Sequence, residues 1–587
     1  MALGVFYSTI IPLGEAPDEA PHFTVVRYIL REGSLPVGPE EHEGFQPPLY
    51  YLLGALTTFW IDTDGFYIKA NADFSLTNEA APKNLLLHTR AESFPYRGWA
   101  LAWHLIRLLS IAMGAVTVWA TYRLARMAIP EHQEIAWGAA SFTAFTPGFI
   151  FISSIVNNDN LATMLSSLIL LKITMILMDS RRASVRDFLL LGLLLGFGVL
   201  AKSSLMVFAL AILATAWIVA HRQSPNLSNT IGPGMLLSLS TLLLGFAVSG
   251  WWFLRNRSLY GDPLGWSLIL KANALREGPL SWADWLHVWT GLYRSHWLAW
   301  IGIELDQAVY LVLGLVVLIA VAGFLRLLIS CQQLSSKTAV LLLVLGGHTG
   351  LVVVSHMRWT TVVQGTGQAR LLYPALSALV FFFFLGLMQW WPRQRYTLLA
   401  GLVGSGMFLL ALIAPFRYIM PTYAPPPILT LADLPASYNP LYLDFDGKIR
   451  LVGYELNARR TQAGGNLRLD LYWQALRDLD QDYWLLIQLL DQEGQFLMYK
   501  DGCPSGGRYT TDFWRSGNVI PSRHFLEIPT YAQAGLYSLE LRIHPFGRND
   551  GLPIFDRDGE FWGDQISVAE IEIAGASAGA SPLLRSG

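Results

Sequence analysis

Between residues 98 and 416 the chain is a succession of long apolar runs, and beyond about 425 it becomes a series of short runs in which apolar and polar positions alternate. The long runs lie at 98–122, 136–156, 160–178, 187–201, 203–220, 233–254, 305–327, 338–356, 370–391 and 397–416. A helix crossing a bilayer needs about 20 mostly apolar residues, so each run predicts a span. The pair at 187–220 is one stretch broken by "KSS", which predicts two short helices with Lys202 at the turn. Residues 1–13, "MALGVFYSTIIPL", are too short to span and lack the basic start of a signal peptide. They are expected to be the second half of a spanning helix cut by a late start, which brings the expected number of spans to about eleven.

Basic residues near helix ends mark the cytoplasmic side. If the first segment leaves the cytoplasm, alternation places "RLAR" (123–126), "SRRASVR" (180–186), "HR" (221–222), the region from Arg326 to Lys337 and "PRQR" (392–395) inside. Five basic loops then agree. The same alternation demotes "QPPLYYLLGALTTFW" (46–60) to a helix lying along the outer surface, opened by Pro47 and Pro48. As a full span it would turn every basic cluster outward.

In the last third, "YAPPPILTLADLP" reads as a linker. "NLRLDLYWQAL" and "GLYSLELRIH" alternate with period two, and "DYWLLIQLLDQEGQFLMY" reads as two strands around a "DQEG" turn. The predicted fold class is a polytopic α-helical membrane protein with a C-terminal extracytoplasmic antiparallel β-sandwich. Its domains are a membrane domain over 1–425 with a large first outer loop (14–97), a linker over 426–439, the sandwich over 440–575 and a disordered tail over 576–587.

Composition supports the membrane reading and closes other classes. The 587 residues are 53% hydrophobic and 14% charged, where soluble chains carry about 25% charged residues. A formal charge of −2 and the lack of any basic stripe give no nucleic-acid signature. The two cysteines, Cys331 and Cys503, sit far apart and predict neither a disulfide framework nor a metal site.

The topology gathers the unusual polar sequences on one side. "PDEAPH" (17–22), "NNDN" (157–160), "AKSS" (201–204), "RNRSLYGDP" (255–263), "GIELDQ" (302–307) and "QGTGQAR" (364–370) all fall outside, while the inner loops hold little besides positive charge. No Asp or Glu occupies the middle of an expected span, which weighs against an ion-coupled carrier. The chemistry is expected at the outer interface.

A first outer loop with "PDE" (17–19), a surface helix after it, "NND" (157–159) opening a later span and "RNRSLYGDP" after another resemble the GT-C superfamily of membrane glycosyltransferases, in the branch of the protein O-mannosyltransferases and the lipid A aminoarabinose transferases. The resemblance covers residues 1–420. It implies transfer of a sugar from a polyprenyl-phosphate carrier to an acceptor hydroxyl with inversion, and it gives Asp18 the role of catalytic base, as the first-loop aspartate of that family. Glu19 is expected to assist or to orient the acceptor, and His22 to stand beside either acid within one helical turn. Both acids also fit an ordinary solvated turn.

Asn158 and Asp159 fit helix capping and equally a site that orients donor or acceptor. Lys202, Arg255, Arg370 and, behind them, Arg257 are candidates for the carrier phosphate, since Arg and Lys give charge-assisted hydrogen bonds to phosphate. Arginines at helix ends also serve as plain interfacial anchors. No nucleotide-binding loop, zinc motif or nucleophile elbow is present, and "DTD" (62–64) lies in a surface loop. No cofactor is called for, and a divalent metal is left open. The expected partners are a polyprenyl-phosphate-linked sugar donor, a lipid, glycan or protein acceptor, and membrane lipids, at a bacterial-type cytoplasmic membrane. A lipid-linked glycan flippase and a non-catalytic cell-envelope assembly protein are the alternatives. The sandwich resembles extracytoplasmic domains appended to such enzymes and implies no chemistry of its own.

Overall fold

The computed structural model describes residues 1–38, 43–78, 81–224, 226–330, 335–479 and 481–574. The tail expected over 576–587 lies outside the described residues. The chain divides into two compact units, Met1–Asp64 with Gly98–Met420, and Gly65–Arg97 with Pro421–Gly587.

The first unit is helical. It opens with α1 (Ala2–Ile10), α2 (Glu19–Glu32) and α3 (Leu49–Thr58). There follow α4 (Gly98–Ala128), α5 (Gln133–Phe145), α6 (Pro147–Ser153), α7 (Asp159–Met178), α8 (Val185–Ala201), α9 (Phe208–Gln223) and α10 (Leu227–Tyr260). The short α11 (Trp266–Ala272) and α12 (Trp282–Trp297) lead through a small hairpin to α13 (Gln307–Ile329), α14 (Ser336–Thr360), α15 (Leu376–Met388) and α16 (Tyr396–Ala414). Among the described residues eight helices are long and apolar enough to cross a membrane, or up to nine if the bent pair α5 and α6 forms one span. This is the build of a multi-pass membrane protein.

The difference from eleven lies in α1, with 9 residues, and α8, with 17. At 1.5 Å per residue they reach about 14 Å and about 26 Å, against a hydrocarbon core of about 30 Å. The α5–α6 pair bends by 61° at Thr146, which is extended, and Pro147, which opens α6; a proline cannot donate to the preceding turn. The run 46–60 yields only the 10 helical residues of α3, about half a crossing. Lys202 caps α8 in an extended conformation and is followed by a 3-10 turn over Ser203–Val207, so the break at "KSS" is real.

Close helix contacts rest on small residues. A Cβ on Gly386 of α15 would lie 1.9 Å from the Ala320 carbonyl of α13, and one on Gly323 would lie 2.0 Å from the Gly386 carbonyl. The two helices therefore meet backbone to backbone, as small residues permit.

The second unit is β-rich. Its strands are β3 (Asn439–Phe445), β4 (Ile449–Leu456), β5 (Arg460–Gln462), β6 (Asn466–Ala475), β7 (Tyr483–Leu490), β8 (Phe496–Gly502), β9 (Val519–Glu527), β10 (Gly535–Pro545), β11 (Ile554–Phe555), β12 (Phe561–Gly563) and β13 (Ile566–Ala574), numbered after the two strands of the small hairpin, β1 (Ala299–Trp300) and β2 (Ile303–Glu304). They form a five-stranded sheet, β5-β13-β10-β7-β8, and a six-stranded sheet, β12-β11-β3-β4-β6-β9. Pairing is antiparallel except between β13 and β5. Alternate residues of both sheets share one core, with Leu467, Leu469, Leu471 and Trp473 from β6 and Leu539, Leu541 and Ile543 from β10. Residues 65–97, part of the long first loop, pack on this unit. Asp73 pairs with Lys500 at 2.5 Å, Asn84 donates to the Gly507 carbonyl at 2.6 Å, and Thr510 donates to the His88 carbonyl at 2.6 Å.

A side chain at residue 386 has no room between α13 and α15. Gly386→Leu is expected to cost about 1–3 kcal/mol and to lower the temperature at which the purified protein aggregates; an unchanged melting profile would contradict this packing.

Candidate active site

The site begins with a buried ion pair that holds the first loop in place. Arg107, on α4, and Glu19, the first residue of α2, are both fully buried. Arg107 donates to the two carboxylate oxygens of Glu19, each at 2.7 Å. Its remaining donors reach the carbonyls of Ser8, Ile11 and Pro12 at 2.5, 2.7 and 3.0 Å. Glu19 also accepts from Gly14 N at 3.0 Å, Trp103 Nε1 at 2.9 Å and Val156 N at 2.9 Å. One guanidinium thus fixes the end of α1, the loop after it and the start of α2. A buried pair of this kind is stable only when its spare donors and acceptors are met, and here both partners are saturated. Glu19, expected to assist Asp18 or to orient the acceptor, is corrected to a structural role: its oxygens are already occupied.

Asp18 is the residue this frame presents. It precedes α2 with φ 57° and ψ 11°, a left-handed conformation shared among described non-glycine residues only by Asp446. Such a backbone costs about 1–3 kcal/mol and persists where its surroundings impose it. Its side chain pairs with Arg370 Nη2.

The "NNDN" sequence is the hub of the site. Asn157 donates through Nδ2 to the Pro17 carbonyl at 3.2 Å, next to Asp18, and its Oδ1 accepts from Asp159 N at 2.8 Å. Asn158 donates to the Ala201 carbonyl, next to Lys202, and to Gln46 Oε1, both at 3.4 Å. Asn160 ties back to the carbonyls of Ile152 and Ile155 at 3.0 and 3.2 Å. Asp159 is left to face two cations: Lys202 Nζ pairs with its Oδ1, and Arg370 Nη1 donates to its Oδ2 at 3.0 Å. Arg370 therefore bridges Asp18 and Asp159, and Lys202 closes the group. Four segments more than 350 residues apart at their extremes meet in one charge-balanced cluster. Side-chain exposure separates the members: 4% for Asp159, 8% for Arg370, 19% for Lys202 and 42% for Asp18. Asp18 is the group open to an incoming molecule.

Electrostatics agree with that reading. Burial alone would raise the Asp18 carboxyl, but Arg370, with His22 and Lys202 behind it, holds it down at about 2. His22 is buried, and desolvation lowers its pKa from the ordinary value; its Nδ1 shares a 2.8 Å hydrogen bond with Tyr51 OH. One ligand atom each from Asp18, His22 and Glu43 lies within 4.8 Å of the others, close enough for these residues to hold a divalent cation.

Arg255 is not brought to the cluster. Its guanidinium donates to the Pro36 carbonyl at 2.8 Å and packs over Trp252 at 5.0 Å, and Arg257 is exposed. Three further residues escaped the sequence reading. Arg107 carried one signal, a lone cation ten residues into an apolar helix. Asn157 stands in the same motif as Asn158 and Asp159 but was not singled out with them. Tyr373 lies three residues after Arg370 on the 3-10 helix Ala369–Ala375, where residues i and i+3 eclipse; its buried hydroxyl has no hydrogen-bond partner among the described residues.

A family model described as dolichyl-phosphate-mannose-protein mannosyltransferase matches residues 102–252. Over this segment, which contains Asp159 and Lys202, the chain is similar to that branch of the GT-C membrane glycosyltransferases. No curated protein matches the sequence. Among solved structures, ArnT from Cupriavidus metallidurans in the apo state aligns with 72% of this chain and 71% of its own, at 11% identity and a TM-score of 0.40. The C-terminal domain of wzt aligns with 25% of this chain and 90% of its own, at 16% identity and a TM-score of 0.20.

Glu19→Gln leaves Arg107 without a counter-charge and is expected to cost about 3–5 kcal/mol, read as a large loss of thermal stability. Asp18→Asn, at a position where Asn tolerates the left-handed backbone, is expected to lower the melting temperature much less, because Asp18 is partly exposed and Arg370 keeps Asp159 as a counter-charge. Equal effects of the two would contradict the division between frame and site.

Proposed function

We propose that the chain is a membrane glycosyltransferase that moves a sugar from a polyprenyl-phosphate carrier to an acceptor hydroxyl, with inversion. The reaction takes place at the outer face of a bacterial-type cytoplasmic membrane, and the C-terminal domain is extracytoplasmic. The observation that carries this reading is the bridge of Arg370 between Asp18 and Asp159, closed by Lys202. It sets a partly exposed carboxylate beside two cations, which is the equipment that displacement of a phosphate from a sugar needs.

The donor is a phosphodiester with one negative charge, and its leaving group, a phosphate monoester, takes on a second. Arg370 and Lys202 supply positive charge where that second charge develops, an arrangement that lowers the barrier most when the groups are held in advance. The acceptor oxygen attacks the anomeric carbon from the face opposite the phosphate. Its proton passes to Asp18, and the electrons of the breaking carbon–oxygen bond leave with the phosphate. Inversion follows from this single displacement.

The resting ion pairs have a consequence. A carboxyl held at about 2 is a weak base, because a general base works best with a pKa near the working pH. A donor phosphate competes with Asp18 and Asp159 for Arg370. When Arg370 turns to the phosphate, Asp18 loses the neighbour that depresses it and becomes more basic as the substrate arrives. Asp159 keeps Lys202 in place meanwhile.

Two measurements test this. Asp18→Asn is expected to lower transfer by about 10²–10⁴-fold while donor binding stays the same or tightens, since Arg370 is released; unchanged turnover would point to a carrier. In the pH profile, kcat/KM reports the free enzyme and kcat the donor complex. A depressed carboxylate stays ionised until pH falls towards about 2, so kcat/KM is expected to show no acid limb from Asp18 between about pH 5 and 8. The acid limb of kcat is expected at higher pH than that of kcat/KM. Coincident limbs would contradict release of Asp18 by the donor.

A further inference from the structure

The β-rich unit holds a cleft of about 400 Å³, within the size range of small-molecule sites. Its floor is the outward face of β6 and β9. Leu469, Leu471 and Trp473 point into the core, so the pleat sends Asp470 and Tyr472 to the opposite face. There, in register, Asp470 meets Arg523 and Tyr472 meets Pro521. Prolines of the linker, Pro426 and Pro427, form a wall, and the loop after β8 adds Arg508.

The charges of this cleft are unevenly matched. Asp470 accepts from Arg523 Nε at 2.7 Å and Nη2 at 3.3 Å, and Arg468 Nε lies 3.2 Å from it. Asp433, the other carboxylate of the lining, is used by Thr430, through N at 2.8 Å and Oγ1 at 2.7 Å. Arg508 has neither a hydrogen bond nor an ion pair among the described residues. Partial burial and the charge of Arg523 lower its pKa from the ordinary value. A guanidinium that faces a like charge and has no counter-ion among the described residues is a seat for an anion.

The rest of the lining narrows the class of ligand. Arg523, half exposed and held in place by Asp470, offers donors to ring hydroxyls, and Pro426, Pro427 and Pro521 offer apolar faces. We infer that this cleft binds a saccharide bearing a carboxylate: Arg508 takes the carboxylate, Arg523 donates to ring hydroxyls and the prolines of the lining pack on the apolar face of the ring. The choice of a saccharide over another small acid rests on the glycosyltransferase reading; the anionic seat does not.

The test is binding to the intact chain in nanodiscs, by titration calorimetry, with methyl glucuronide, methyl glucoside and inorganic phosphate as probes. The glucuronide is expected to bind at least about tenfold more tightly than the glucoside, as a hydrogen bond to a charged group contributes. Arg508→Ala is expected to abolish that preference, and Arg508→Lys to restore part of it. Equal affinity for the two sugars, no binding of either, or an Arg508→Ala variant with the preference intact overturns the inference. So does phosphate that displaces the glucuronide at equal concentration, since the site would then read charge alone. The same titration paired with a transfer assay on the unsubstituted chain separates the two proposals: sugar binding without transfer retains this one, and transfer without sugar binding retains the other.

Discussion

Arg370 holds two carboxylates that the chain delivers from opposite directions, Asp18 from the first loop and Asp159 from the start of α7. Arg370 and Asp159 are almost wholly buried, and such charges are costly to keep near a membrane unless they are paired. That constraint explains the arrangement around them. Arg370 needs both acids, Asp159 needs Lys202 as well, and each of the four must be delivered within hydrogen-bond reach. The fixed points that achieve this are themselves polar: Arg107 with Glu19 for the first loop, and Asn157 and Asn158 as tethers to Pro17 and Ala201.

Much of this could be read before the structure. The apolar runs at 98–122, 160–178 and 370–391 locate α4, α7 and α15, because period and length of an apolar stretch are dictated by the bilayer. The break at Lys202 and the "DQEG" hairpin of β7 and β8 were visible for the same kind of local reason. The meeting of Asp18, Asp159, Lys202 and Arg370 was foreshadowed by their common sidedness, which basic loops determine. What the sequence hid is what depends on three-dimensional partners. Nothing local distinguishes Glu19 from Asp18, since both follow Pro17 in a short acidic turn; only the position of Arg107 across the fold separates the anchor from the exposed group. Arg255 misled in the converse way, because an arginine at a helix end looks alike whether it faces a phosphate or the Pro36 carbonyl.

The two units divide the work by material. Helices supply fixed termini, where Asp159 and Arg370 sit at the first turns of their spans and Lys202 at the end of α8. The β-rich unit supplies a pleated face on which Asp470 and Tyr472 stand outward from a core of leucines. Residues 65–97 leave the helical unit and return to it at Gly98, lodging on the β-rich unit through Asp73, Asn84 and His88. The first loop is thus shared, with Asp18 at one end in the helical unit and a strap on the sheets in its middle.

The most direct test of the central claim is a cryo-electron microscopy structure with polyprenyl phosphate bound. The account predicts the phosphate between Arg370 and Lys202, with the Arg370–Asp18 contact broken and Asp18 facing open space beside the phosphate. A phosphate bound elsewhere, with Arg370 still bridging Asp18 and Asp159, would contradict it.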